Sequence, residues 1–390
     1  MLSKDKICAA VRSYTDEMFQ IACDIFDRPE LAVKEFYACE RLEGYLERQG
    51  FTLERGIAGL ETAFRATYQK GEGGPVIGFM LEYDALPGLG HACGHHLQGP
   101  ACIGAAMAIR DLCEGPYTLV LYGTPGEEGY SGKIDMVAAG CFTEADIVFC
   151  YHSGIASGVG YANKALTRLD VEFHGVAAHA AAHPYLGRSA QDGMMLMFHG
   201  LEFMREHIKD GCRIHYSVSE GTGPSNIIHE NAKANMILRS PERKYLENMV
   251  ERTKKIVEGA CLMTETTADI KRGRTTYNVI TPKTLLNILF ENQKELECEK
   301  LWTDRSTSGG SSDVGNVSHV VPVANVYTFF CEGAGHSQVW VDDGKKPIAR
   351  RSMENASEVI AMTALQLIAS PELLRKINEE HRIMVEAEAE

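Results

Sequence analysis

The chain has 390 residues, more than one hydrophobic core usually serves, so two domains are expected. Hydrophobic residues make up 45% and charged residues 24%, an ordinary globular balance without a disordered bias. A net charge of −14, with no basic run anywhere, argues against nucleic acid or an anionic membrane surface as a partner.

The twelve cysteines are scattered and none falls in a CxxC pair. The first residues lead into a polar amphipathic segment rather than a signal h-region, and no apolar run is long enough to span a bilayer. Many unpaired thiols without an export signal predict a reduced, cytoplasmic protein in which most cysteines are small core residues. Cys93 is the exception.

In chain order, apolar spacing predicts helices over 5–27 and 34–49, broken at Asp27-Arg28-Pro29-Glu30. Strands follow at 62–68 and 76–81, the second an uninterrupted apolar run suited to burial on both faces. A helix rich in Ala and Gly is expected over 97–112, a strand over 118–122, a helix over 133–139 and a strand over 146–151. This alternation predicts an α/β fold with a mostly parallel sheet sandwiched by helices. Near residue 163 the pattern changes. A half-exposed strand over 166–173, a long helix over 189–208, strands over 213–218 and 232–238, a helix over 242–263 and a strand over 266–271 read as an antiparallel α+β unit. A helix over 282–297, a Gly/Ser loop over 306–312, a strand over 324–330 and a helix over 353–368 then resume the first style. The expected organisation is a domain made of 1–164 and 278–390, with an inserted domain over 165–277 able to carry a dimer interface.

Chemistry-bearing residues fall at the expected strand ends, where open α/β sheets bind ligands. Asp84 follows the 76–81 strand, the Glu127-Glu128 pair follows the 118–122 strand, and His152 is expected just past the 146–151 strand. Cys93 and His95 sit in the turn His91-Ala92-Cys93-Gly94-His95-His96, and His336 in Gly333-Ala334-Gly335-His336-Ser337. Each alone has a bland reading: a buried thiol, a solvated Glu pair, a structural histidine. Together, one Cys, one Glu and three His suit two borderline divalent ions sharing a bridging group. Adjacent carboxylates cannot both point at one cation, so one Glu would bind metal and the other hold the attacking water as general base. Asp84 is either a turn residue or a carboxylate that orients a ligand histidine. In the inserted unit, His179 and His183 lie in a run of small residues, Asn226 in a Gly-rich turn, and Arg239 at a strand end where its guanidinium can clamp a substrate carboxylate.

Several of these segments resemble one family, the M20 metallopeptidases, in the amidohydrolase branch. They are Tyr83-Asp84-Ala85-Leu86-Pro87, His91-Ala92-Cys93-Gly94-His95, Gly126-Glu127-Glu128-Gly129, His152, Gly175-Val176-Ala177-Ala178-His179-Ala180, Gly221-Thr222-Gly223-Pro224-Ser225-Asn226 and Gly335-His336-Ser337. That branch holds aminoacylase-like hydrolases and the p-aminobenzoyl-glutamate hydrolase subunits with their dipeptidase relatives, and Asp313-Val314-Gly315-Asn316 resembles the latter group. The resemblance covers essentially the whole chain. It implies Cys93, His95, Glu128, His152 and His336 as ligands of two divalent ions (zinc, manganese or cobalt) and Glu127 as general base. It implies His179 as an oxyanion-stabilising residue delivered by a partner subunit, Asn226 and Arg239 as substrate-carboxylate positions, and a homodimer formed through the inserted lid domain. Two departures stand out: His96, where many relatives have Asp or Asn, adds an imidazole to the first cluster, and Gly126 replaces the usual Ala. The expected activity is hydrolysis of an N-acyl or N-aroyl amino acid, or a dipeptide, with a free carboxylate. Its rivals are a cysteine hydrolase built on Cys93 and a non-catalytic carrier of amino-acid conjugates.

Overall fold

The computed structural model describes residues 2–160, 163–221, 223–302 and 310–389. Thr222 and most of the expected Gly/Ser loop lie outside them. The chain opens with helices α1 (Lys4–Phe26) and α2 (Phe36–Arg48). Ile7, Val11, Met18, Ile21 and Ile25 recur every three or four residues on α1 and are buried. Next come β1 (Thr52–Arg55), β2 (Phe64–Lys70), β3 (Val76–Leu81), α3 (Gln98–Leu112), β4 (Tyr117–Gly123), α4 (Gly132–Ala138), β5 (Ile147–Gly154) and the short β6 (Gly158–Val159). A second set follows: β7 (Ala165–His174), β8 (Ala178–His179), α5 (Ala190–Arg205), β9 (Arg213–Glu220), β10 (Ile227–Ile228), β11 (Asn231–Ser240), α6 (Arg243–Thr264) and β12 (Thr267–Thr276). The chain ends with α7 (Lys283–Glu295), α8 (Val314–Ser318), β13 (Val323–Phe329), α9 (Gln338–Asp343), α10 (Pro347–Ala369) and α11 (Pro371–Ala389).

The large sheet has the order β1-β2-β4-β3-β5-β13-β6. Its centre is parallel across β4, β3, β5 and β13, as expected from the buried apolar runs. Its edges are antiparallel: β1 and β2 on one side, β6 on the other. Strand alternation sends Ile77, Phe79, Leu121 and Phe149 toward α1, α3 and α10, and sends Met80, Val120, Tyr122 and Val148 to the opposite face. Small residues let α3 sit deep in the first layer. Gly104 faces Ser357 of α10, whose Oγ donates to the Ala101 carbonyl at 2.8 Å.

The second set forms a four-stranded antiparallel sheet in the order β12-β7-β11-β9. Leu169, Val171, Met236 and Leu238 on one face pack against Met197, Leu201, Leu246 and Met249 of α5 and α6, a core separate from that of the large sheet. The alternate positions, Arg168, Arg213 and Arg239 among them, point to the other face. β8 and β10 pair with each other in a small two-stranded sheet. Arg274 of β12 joins the two sheets' layers through a bidentate ion pair with Asp135 of α4, at 2.9 and 3.0 Å. Among the described residues, no helix is long and apolar enough to cross a membrane.

Two expectations shift in position. β5 extends to Gly154, so His152 lies within a strand, paired with Tyr327 of β13, rather than beyond its end. The helix expected from 353 begins at Pro347, where a missing N–H leaves no intrahelical bond unmade.

Candidate metal centre

Three loops and one strand converge at the carboxyl ends of the parallel strands. Cys93 and His95 lie between β3 and α3, on a turn whose Gly94 has φ 79°. A Cβ on Gly94 would stand 2.5 Å from Ser153 Oγ, so only glycine lets this turn close against β5. Glu127 and Glu128 follow β4 after Gly126, also at positive φ (72°). His336 itself has φ 60°, a left-handed conformation that costs a non-glycine residue roughly 1–2 kcal/mol. Its backbone N–H donates to the Ala92 carbonyl at 3.0 Å, which ties the 333–337 loop to the Cys93 turn.

The donors form three overlapping groups: Cys93, His95 and His152; Cys93, Glu128 and His336; His95, Glu127 and Glu128. Within each group the ligating atoms lie within 4.8 Å of one another. Cys93 Sγ is 3.5 Å from His152 Nε2, and His336 Nε2 is 3.0 Å from Glu128 Oε1. Both deep imidazoles are held by their other nitrogen. His95 Nδ1 donates to Asp84 Oδ1 at 2.9 Å and His152 Nδ1 to the Ser153 carbonyl at 2.7 Å, which puts a proton on each Nδ1 and turns each Nε2 toward the other donors, where a bound cation would take its lone pair. His95 Nε2 is buried with no hydrogen-bond partner among the described residues. Asp84 Oδ2 also accepts the Glu128 N–H at 2.9 Å, so one carboxylate fixes both the His95 ring and the Glu turn. Cys93, Glu127, Glu128, His152 and His336 line one cavity of about 280 Å³, together with Glu82, Asn163, Ser311 and Tyr327. A thiol, imidazoles aimed by their far nitrogens, and carboxylates suit a borderline divalent cation.

Electrostatics separate the two adjacent glutamates. Burial pushes the Glu127 carboxyl well above the usual range, and the charges of Glu82, Asp313 and Glu128 push it the same way. Burial acts likewise on Glu128, but the hydrogen bond from His336 and the charge of His95 outweigh it and hold that carboxyl at about 2. Burial pushes the Cys93 thiol up against the opposing pull of His95; a cation there would reverse the shift. Two neighbouring carboxyls driven apart in this way are suited to different jobs.

A buried ionic chain beside the site joins one residue of the sequence motifs, Asp313, to two that no motif holds, Glu82 and Lys133. Lys133, at the start of α4, is fully buried and places Nζ 2.7 Å from both Glu82 Oε1 and Asp313 Oδ1. Its backbone N–H donates to Asp313 Oδ2 at 3.0 Å. For Glu82 the sequence signal is position: it directly follows a buried strand, two residues before Asp84. His96 stands apart from the donors. Its Nε2 donates to the Gly344 carbonyl at 2.9 Å and its ring packs edge-on against Phe26, so its imidazole is not added to the donor groups.

The inserted sheet brings other residues. Arg239 reaches the cavity rim and donates from Nη1 to Ser311 Oγ at 2.9 Å. His179 and Asn226 come together with each other, not with the donors. His179 pairs with Ile227 across β8 and β10, and Ala180 N–H donates to the Asn226 carbonyl at 2.9 Å. His179 Nδ1 accepts the N–H groups of Ala181 and Ala182 at 3.2 and 3.1 Å, which leaves Nε2 directed away from its own backbone. Both residues are exposed.

Fold and donor set together define a metal-binding hydrolase. The chain belongs to Peptidase family M20/M25/M40, which it matches over residues 78–364. It is 32% identical to a p-aminobenzoyl-glutamate hydrolase subunit of Escherichia coli (strain K12), over 97% of this chain and 94% of that one. It is 33% identical to the Xaa-Arg dipeptidase of Homo sapiens, over 93% of this chain and 88% of that one. The fold is shared with a Bacillus subtilis dinuclear metal binding peptidase from the M20 family, at a TM-score of 0.71 and 19% identity, covering 92% of this chain and 99% of that one. The protein is therefore an enzyme, a metal-dependent hydrolase of amide or peptide bonds in small molecules.

Proposed function

We propose that the protein hydrolyses the amide bond of an N-acyl or N-aroyl amino acid, or of a dipeptide, that carries a free carboxylate. One observation carries the reading: Cys93, Glu128, His152 and His336 line one cavity with Glu127, and His95 presents a ligating atom within 4.8 Å of those of Cys93 and His152 and of those of Glu127 and Glu128. The donors fit two divalent ions, zinc, manganese or cobalt, with Cys93, His95 and His152 toward one and Glu128 and His336 toward the other. The Bacillus subtilis peptidase of the same fold is dinuclear, which supports that count. When bound, such ions polarise the scissile carbonyl and acidify a shared water. Glu127, whose proton affinity is raised by burial, takes the proton of the attacking water and passes it to the leaving amine nitrogen. Asp84 keeps the His95 ring and the Glu turn in register throughout. Arg239 clamps the substrate carboxylate at the rim.

The segments 1–164 and 278–390 serve as the catalytic domain and 165–277 as a lid and dimerisation domain. His179 and Asn226 are exposed and apart from the donors of their own chain, which supports a homodimer in which each copy lends these residues to the other's site. There His179 stabilises the oxyanion of the tetrahedral state and Asn226 contacts the substrate carboxylate.

The test is amine release from a panel of acyl amino acids and dipeptides, by protein reconstituted with zinc, manganese or cobalt and by the same protein after chelation. Metal-dependent release of free amine is expected. Release that survives chelation and stops on thiol alkylation would instead identify Cys93 as a nucleophile, and binding without release would identify a carrier.

A further inference from the structure

Beside the cavity, the chain gathers positive charge that its own carboxylates do not meet. Lys164 follows Asn163, a cavity-lining residue, and its backbone N–H donates to the Gly310 carbonyl at 2.9 Å. Arg239 donates to Ser311, and Gly310 and Ser311 both line the cavity. Arg213 stands directly opposite Arg239 in the β11–β9 register, so the two side chains leave the same face of the sheet, the one turned away from α5 and α6. Arg168 comes off that face two positions along β7 from Leu166, which itself pairs with Arg239. Among the described residues, none of these four cations forms an ion pair with an Asp or Glu side chain. Burial, then Arg213 and Arg239, pull the Lys164 ammonium below its ordinary value, and burial with Arg168 does the same to Arg239, so the charges act on one another. Arg168 and Arg213 are exposed, and Asp170, the next side chain along that face of β7, forms no ion pair with them; in a chain of net charge −14 with 53 Asp and Glu residues, four cations gathered without a paired carboxylate attract an anion.

We propose that Lys164 and Arg213 form a second carboxylate subsite beside Arg239, so that the amino acid released is a dicarboxylic one. The inference deepens the amidohydrolase reading and rests on it. Arg239 with Ser311 takes the carboxylate next to the scissile amide, since one guanidinium binds one carboxylate side-on. That leaves Lys164 and Arg213 uncompensated, and a side-chain carboxylate reaching them completes the charge balance. A neutral amide in its place loses a charge-assisted contact, and a basic side chain meets like charge.

The experiment compares kcat/KM of the metal-reconstituted enzyme for the N-benzoyl conjugates of glutamate, aspartate, glutamine and arginine. Glutamate is the isosteric charged counterpart of glutamine. A dicarboxylic conjugate is expected to exceed the glutamine conjugate by roughly 10- to 100-fold, most of it in KM. In the Lys164→Met/Arg213→Met variant that ratio should fall toward one. Should the double variant not fold, Lys164→Gln alone is read the same way. Equal or faster hydrolysis of the glutamine or arginine conjugate by the native enzyme overturns the subsite and leaves the amidohydrolase reading intact. An unchanged ratio in the variants also overturns it. If no conjugate and no dipeptide releases amine with metal supplied, the amidohydrolase reading fails and the subsite falls with it.

Discussion

Glu127 and Glu128 are chemically identical neighbours that the fold makes different. His336 and His95 hold Glu128 ionised, whereas burial and the surrounding carboxylates keep Glu127 avid for a proton. Glu127→Gln should therefore keep its bound metal and lose turnover by about 10²- to 10⁴-fold, the usual worth of a general base. Metal content and kcat measured on one preparation decide it; near-native kcat would remove Glu127 from the mechanism. Glu35 gives a second prediction. It is buried beneath the Glu turn, where it accepts the Gly126 N–H at 2.8 Å and the Thr62 hydroxyl at 3.0 Å. Burial, reinforced by the charge of Asp84, pushes its carboxyl up from 4.5 to about 7. The folded state thus binds a proton that the unfolded chain has released between those values. The contribution of Glu35 to stability is fully present below 4.5 and is lost as pH rises through about 7. Glu35→Gln, which has the same shape and does not titrate, should flatten that decline in denaturant unfolding measured from pH 5 to 8. An unaltered slope would contradict the assignment.

At the scale of elements, α4 is locked to the sheet by Lys133, which joins the end of β3 to the start of α8 through Glu82 and Asp313. Replacing it by Met strands two buried carboxylates, a loss of about 3–5 kcal/mol. Urea unfolding should show that loss; a change under about 1 kcal/mol would mean the chain relaxes to solvate both acids. This network also shows where sequence reading stops. The apolar runs of β3, β4 and β5 are legible because both faces of each strand are buried. The donors are legible because most fall on glycine-punctuated turns at the ends of such strands. Lys133 is not, because a lysine at a helix start has the same local pattern whether it faces water or two carboxylates brought from residues 82 and 313. His152 falls inside β5 rather than beyond it because strand ends carry little periodic signal. The pairing of β8 with β10 depends on a long-range contact between two-residue strands that no local pattern encodes. Helix α11 carries an amphipathic pattern and opens at Pro371, a start signal that is readable in the sequence but absent from the expected elements.

At the scale of the whole molecule, the inserted sheet leaves β9 as an edge strand, with Tyr216 and Val218 exposed on it. Phe203 on α5 and Leu262 on α6 are also largely exposed, at 73% and 76%. An open edge beside apolar side chains is a surface that natural sheets usually cover. Light scattering on the purified enzyme should report a dimer, and Val218→Glu should dissociate it and lower kcat in parallel, because His179 would then have no partner site. A fully active monomer would contradict the shared-site arrangement. The central claim, that five side chains distant in sequence hold a pair of cations, is tested most directly by counting metal per chain after reconstitution and desalting. About two equivalents are predicted for the native sequence, falling in Cys93→Ala and Glu128→Ala. A native protein that retains no metal, or variants that retain the full complement, would contradict it.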